Sequence, residues 1–244
     1  MKESRIVITN AREDFMRITE TTLYTNRLDE MKHFYTERLG LSVIEEDLSS
    51  FRINLGEDAL VFQEAITEQE RQYHFAINIP ANRFKEAKEW IMSRVPLLTE
   101  DGEDEIYFEG IDASSLYFYD ADENVIELIA RHSINPESNI ESFSSNELLG
   151  TGEMSLTVED PSLVAKALET IGVRRRDGNS IDPHHLNFMG PPNHDTYILL
   201  VPRGRVWLFS PKLSIPSPIQ MVLDQRYMVE MDEKHEIHIH SIKK

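Results

Sequence analysis

The chain contains no cysteine. That excludes disulfides, thiolate nucleophiles, and Cys-ligated zinc or iron–sulfur sites, so any bound metal must rest on His and carboxylate. It contains no run approaching the ~18 consecutive apolar residues of a membrane span. The opening stretch MKESRIVITNAREDF has no apolar segment of the kind a secretory signal needs, and a cytoplasmic location is expected. There is no Gly-rich phosphate loop, no nucleophile elbow and no HExxH motif, which removes the nucleotide-dependent and serine-hydrolase classes. Basic residues are few: 25 Lys and Arg stand against 43 Asp and Glu, a net charge of −18. A field of that sign repels phosphate backbones and anionic headgroups, so no nucleic-acid or membrane partner is expected.

What is present is a repeat. With 244 residues, 40% of them hydrophobic, the chain can bury a sizeable core as one or two domains. Three segments share one plan of alternating strand, amphipathic helix and further strands. The first opens with ITETTLYTNRLDEMKHFYTERLGL (18–41), where Leu28, Met31, Phe34, Tyr35 and Leu39 recur at helical spacing and Gly40 suits a left-handed C-cap. The second opens with YHFAINIPANRFKEAKEWIMSRV (73–95), with Asn82 expected as N-cap. The third opens with GEMSLTVEDPSLVAKALETIGV (152–173), where Asp160 then Pro161 reads as a cap followed by a first-turn proline and Gly172 closes the helix. HHLNFMG and DTYILLVPRGRVWLF are expected as its later strands.

The class expected is therefore α+β: repeated βαβββ modules forming a curved mixed sheet that makes a cup. Residues 1–130 are read as two paired modules, 131–150 as a polar linker, and 151–244 as a third, unpaired module with a tail. After Lys212 only 32 residues remain, too few for a full fourth copy. An unpaired module would leave a sheet face or edge exposed, so a homodimer is expected. Period-2 alternation puts Glu20, Thr22 and Tyr24 on one strand face, His74, Ala76 and Asn78 on another, and Tyr117, Tyr119 and Glu127 on the closing strands. These polar faces suit a small-molecule ligand. Tyr24, Arg52, Asn78, Tyr117 and Tyr119 are candidate substrate contacts. His184, His185 and His194 cluster in the third module, and Glu236, His238 and His240 share a face of the tail. Neighbouring His184 and His185 would point apart on a strand, and the tail reads as an exposed terminal strand.

The segment running through His33-Phe34-Tyr35 to Leu39-Gly40, the strand YHFAINIP and the hairpin SLYFYDADENVIELIA, in that order, resemble the vicinal-oxygen-chelate superfamily of glyoxalases, bleomycin-resistance proteins and ring-cleaving dioxygenases. The resemblance implies metal ligands at Glu20, His74 and Glu127, with Glu20 and Glu127 as catalytic carboxylates. It implies a divalent metal, Mn, Fe, Ni, Co or Zn, and an enzyme acting on a small oxygen-rich or aromatic molecule. The alternative is a sequestering, resistance-type protein whose metal-free cup has His74 hydrogen-bonded between the two glutamates. Two departures stand out. Glu20 occupies the place of the dioxygenases' first His, and apolar Ala59–Phe62 lies where glyoxalases carry a further carboxylate. The turn also has Ala121 and Glu123 in place of Pro and Gly.

Overall fold

A computed structural model of the chain describes residues 16–242; the reading of MKESRIVITNAREDF as lacking a signal falls outside them. The first module is β1 (Ile18–Thr25), α1 (Leu28–His33), β2 (Val43–Glu46), β3 (Ser50–Leu55) and β4 (Asp58–Glu64). The second is β5 (His74–Asn78), α2 (Phe84–Met92), β6 (Ile106–Phe108), β7 (Ala113–Tyr119) and β8 (Val125–Arg131). The third is β9 (Gly150–Val158), α3 (Pro161–Glu169), β10 (Asn187–Met189) and β11 (Tyr197–Pro202). A meander without a helix follows: β12 (Ile219–Leu223), β13 (Tyr227–Met231) and β14 (Ile237–Ser241).

The caps explain where the helices begin and stop. Asp160 accepts from the Ser162 and Leu163 amides at 2.9 and 3.1 Å, with Pro161 in the first turn. Gly40 and Gly172 end their helices at φ +74° and +88°, where a Cβ would be strained. α1 widens into a π-type turn over Phe34–Arg38, which seats Tyr35 in the core. Asn82 does not cap α2. Its amide exchanges two hydrogen bonds with the backbone of Ser138 instead, tying the second module to the 132–149 connection.

The strands form two seven-stranded mixed sheets, ordered β14-β13-β12-β1-β4-β3-β2 and β10-β11-β9-β5-β8-β7-β6. The expected class, βαβββ modules in curved mixed sheets, is what the chain adopts. The partners within it differ from expectation. β5 lies antiparallel to β9, so the second module pairs with the third; β1 lies antiparallel to β12, so the first pairs with the tail meander. The third module is thus not unpaired: β9 lies between β11 and β5, so the exposed edge that called for a homodimer is covered within the chain. The 219–241 meander, too short for a module, still supplies three strands to the first sheet, with β12 at the seam.

Each sheet keeps an apolar face toward the helices and a second face turned away. In the second sheet Ile126, Leu128, Met154, Leu156, Ile198 and Leu200 join the main core. The opposite face carries His74, Ala76 and Asn78 on β5, Glu127 and Arg131 on β8, and Glu153 and Ser155 on β9. Residues Arg203–Phe209, expected to extend the third module's last strand, leave the sheet after Pro202 and, with the residues up to Leu213, fold back across this second face.

A candidate metal centre in the second sheet

Ala76 is the pivot of the site. In the parallel β5–β8 pair it stands opposite Glu127, and in the antiparallel β5–β9 pair it stands opposite Glu153. One small side chain therefore separates two carboxylates on a single row of three strands. His74, two residues earlier on β5, projects from the same face. One ligand atom from each of His74, Glu127 and Glu153 lies within 4.8 Å of the other two. All three are buried, at 5, 3 and 5% exposure.

The hydrogen bonds set the tautomer. His74 Nδ1 lies 2.9 Å from the Val125 carbonyl oxygen, which can only accept, so Nδ1 carries the proton and Nε2 presents a free lone pair. Nε2 is 3.6 Å from Glu127 Oε2. Burial pulls the imidazole down to about 4, and the Arg205 charge adds to that effect. Burial pushes both carboxyls up, and each feels its neighbours: Glu127 is raised further by Glu153, whereas Arg131 and Arg176 oppose the rise at Glu153. Arg131 Nη2 donates to Glu153 Oε1 at 2.7 Å inside the protein. That contact favours the ionised form of Glu153, while burial holds the Glu127 carboxyl up at about 8. Tyr117, opposite Glu127 on β7, is held well above its ordinary pKa by burial and by the two glutamates, so its hydroxyl stays a donor.

This set fits a divalent ion. Bonds of about 2.0–2.2 Å place the ligand atoms around one ion roughly 3–4 Å apart, so the 4.8 Å cluster needs only a small closure. The free lone pair is on the nitrogen facing the carboxylates, and Glu153 has a second oxygen that Arg131 does not bind. One imidazole with two carboxylates suits Mn, Fe, Co, Ni or Zn.

Glu20 is not part of this cluster. It lies on β1 in the other sheet, where Arg52 Nε donates to it at 2.8 Å and both side chains are about a third exposed. Tyr24 shares that sheet, its backbone amide donating to the Tyr73 hydroxyl. Sequence reasoning joined Glu20 to His74 because it paired the first module with the second; the seam lies elsewhere. The carboxylate it missed, Glu153, stands near the head of the third module, much as His74 heads the second. Its signal was a glutamate on a strand otherwise buried throughout.

The other candidates disperse. Tyr117 is in the site, its ring stacked on Phe209 at 5.0 Å. Tyr119 shares a 2.7 Å hydrogen bond with Ser210, and Asn78 donates to the Asp195 carbonyl while lining a 270 Å³ cleft with Arg17, Asp58 and Thr151. His185 pairs with Asp182 and His194 with Asp195, so the histidines of the third module do not form one site. At the β13–β14 turn Asp232, Glu236 and His238 come together, but Asp232 already accepts the amides of Lys234 and Glu236 and meets His238 at 3.1 Å, all near the surface. His238 and His240 stack at 6.2 Å.

Comparison with solved structures bears on the architecture. Glyoxalase I from Zea mays matches with a TM-score of 0.53 at 16% identity, over 86% of this chain and 74% of that one. A presumed dioxygenase from Bacillus subtilis subsp. subtilis str. 168 matches with a TM-score of 0.54 at 20% identity, over 78% of this chain. The chain has the vicinal-oxygen-chelate fold. It spans 64% of the length of the Bacillus protein. Within the fold, the model of the toxoflavin-degrading enzyme family matches residues 151–205, which hold Glu153 and most of the third module. A search of the curated proteins returns no match.

Proposed function

We propose that the chain is a divalent-metal-dependent enzyme of the vicinal-oxygen-chelate type, acting on a small oxygen-rich or aromatic molecule, with His74, Glu127 and Glu153 holding the metal. The observation that carries this is the meeting of those three buried ligand atoms within 4.8 Å. When bound, the metal would supply Lewis-acid polarisation to oxygens of the substrate. Around it the chain's own groups have separate tasks. His74 is fixed by the Val125 carbonyl to present Nε2. Arg131 keeps Glu153 anionic and oriented. Glu127, whose carboxyl burial raises to about 8 and which no arginine binds directly, is the group suited to moving a proton at the substrate. The Tyr117 hydroxyl donates toward developing negative charge, and Trp207 and Phe209 exclude water from above.

The similar proteins' names support a metal enzyme only through the shared fold, so the test is direct. Protein purified without chelator is expected to carry about one metal per chain by elemental analysis, and Glu127→Ala to lose it. Absence of metal in the unaltered protein, with no thermal stabilisation by added Mn, Fe, Co, Ni or Zn, overturns the proposal.

A further inference from the structure

The cluster is roofed by the chain itself. Residues Arg203–Ser214 form a narrow strap closed on itself by four backbone hydrogen bonds: Gly204 to Ser214 at 2.8 Å, Ser214 to Arg205 at 2.7 Å, Trp207 to Lys212 at 3.0 Å and Ser210 to Trp207 at 3.2 Å. From it the Trp207 ring packs on His74 with centroids 4.7 Å apart, and Phe209 stacks on Tyr117. These two rings fill the hollow in which a metal or substrate would have to arrive. Val206 and Leu213, on the outer side, are 55 and 51% exposed.

Two features make this closed arrangement costly to hold. The Trp207 indole N–H is buried with no hydrogen-bond partner among the described residues, although the ring is only 2% exposed. Phe209 sits at φ +59°, in the left-handed region that a bulky residue rarely adopts. Opening would give the indole N–H to water and free Phe209 from that conformation. Its base is tied to the third module, where the Arg203 amide donates to the Val158 carbonyl at 3.2 Å, Arg203 pairs with Glu159 at 2.6 Å and the Ser214 hydroxyl donates to the Pro202 carbonyl at 2.9 Å. Its tip is held at few and peripheral points on the second module: Lys212 to Glu123 at 2.7 Å, Ser210 to Tyr119 at 2.7 Å, and the Phe209 amide to Glu100 at 3.3 Å. Gly204, at φ +82°, stands at one end as a hinge with no atom within 4 Å of where a Cβ would be.

We propose that the Arg203–Ser214 strap is a gate over the His74–Glu127–Glu153 cluster, shut by Trp207 and Phe209, which swings out as a unit to admit metal and substrate. The importance of the gate rests on the functional reading of the cluster; its motion does not. Hydrogen exchange on the full chain in chelator tests the motion. The amides of 203–214 are expected to exchange about 100-fold faster than those of the flanking β9 and β11, hydrogen-bonded though they are. The double variant Ser210→Ala/Lys212→Ala is expected to accelerate strap exchange about tenfold further, leaving β9 unchanged. Exchange of the strap at the same rate as β9, in both proteins, overturns the gate. Mn(II) loading separates the two readings. Faster loading in the double variant supports the gate, and equal loading rates in the two proteins overturn it. Failure of Mn(II) to bind, with the strap exchanging as expected, leaves the gate supported and removes the metal.

Discussion

At the scale of single residues, the cluster ties stability to pH through two opposed groups. His74 has a folded pKa of about 4 against an ordinary 6.5, because burial disfavours its cation. Its contribution to metal-free stability is therefore complete above pH 6.5 and is lost as pH falls toward 4, by up to about 3 kcal/mol. Glu127 runs the other way. Its folded pKa is raised to about 8 by burial and by Glu153, so its contribution is complete below pH 4.5 and is lost as pH rises from there to about 8. The two windows overlap and oppose each other, so denaturation of chelated protein across pH should separate them by mutation: His74→Gln removes the loss of stability toward pH 4, and Glu127→Gln removes the loss between pH 4.5 and about 8. The same proton couples to metal. Binding requires ionised Glu127, so affinity should rise with pH and about one proton should be released per metal bound. Calorimetry in buffers of different ionisation enthalpy measures that release; a buffer-independent heat would contradict it.

Among the secondary-structure elements, close backbone approaches carry specific weight. Gly56, at φ +62° in the β3–β4 turn, leaves no space for a side chain: a Cβ would lie 2.3 Å from the Leu149 carbonyl carbon. Gly56→Ala should cost about 2–4 kcal/mol, read from the urea midpoint. Gly102, also left-handed at φ +89° but with nothing within 4 Å, should cost only about 1–2 kcal/mol as alanine. Alternation made the faces of the strands legible in the sequence, since a buried helix-facing set and a polar set interleave with period 2. His74 and Glu127 could be placed on one face for that reason. Pattern alone did not reveal that 203–209 leaves its strand, because VWLF is as apolar across a cup as along a sheet. Nor did it reveal that Asn82 binds Ser138, since one asparagine serves a cap or a loop equally well.

For the whole molecule, the decisive fact is which first strands meet. The modules were legible one by one, but a period-2 pattern states which face a residue occupies and not which strand lies beside it. Pairing β5 with β9 rather than β1 brings Glu153, not Glu20, to His74. It also makes residues 16–131 an incomplete unit, with β1 and β5 both stripped of a neighbour. That fragment should therefore aggregate or give an unfolded NMR spectrum, whereas a dispersed, native-like spectrum would show that the first two modules fold without the seams. The most direct test of the account is anomalous diffraction at the manganese edge from crystals of Mn(II)-loaded protein. It predicts a single peak within about 2.0–2.3 Å of His74 Nε2 and of one oxygen each from Glu127 and Glu153. A peak beside Glu20 or at the Asp232–His238 turn, or no peak at all, would contradict it.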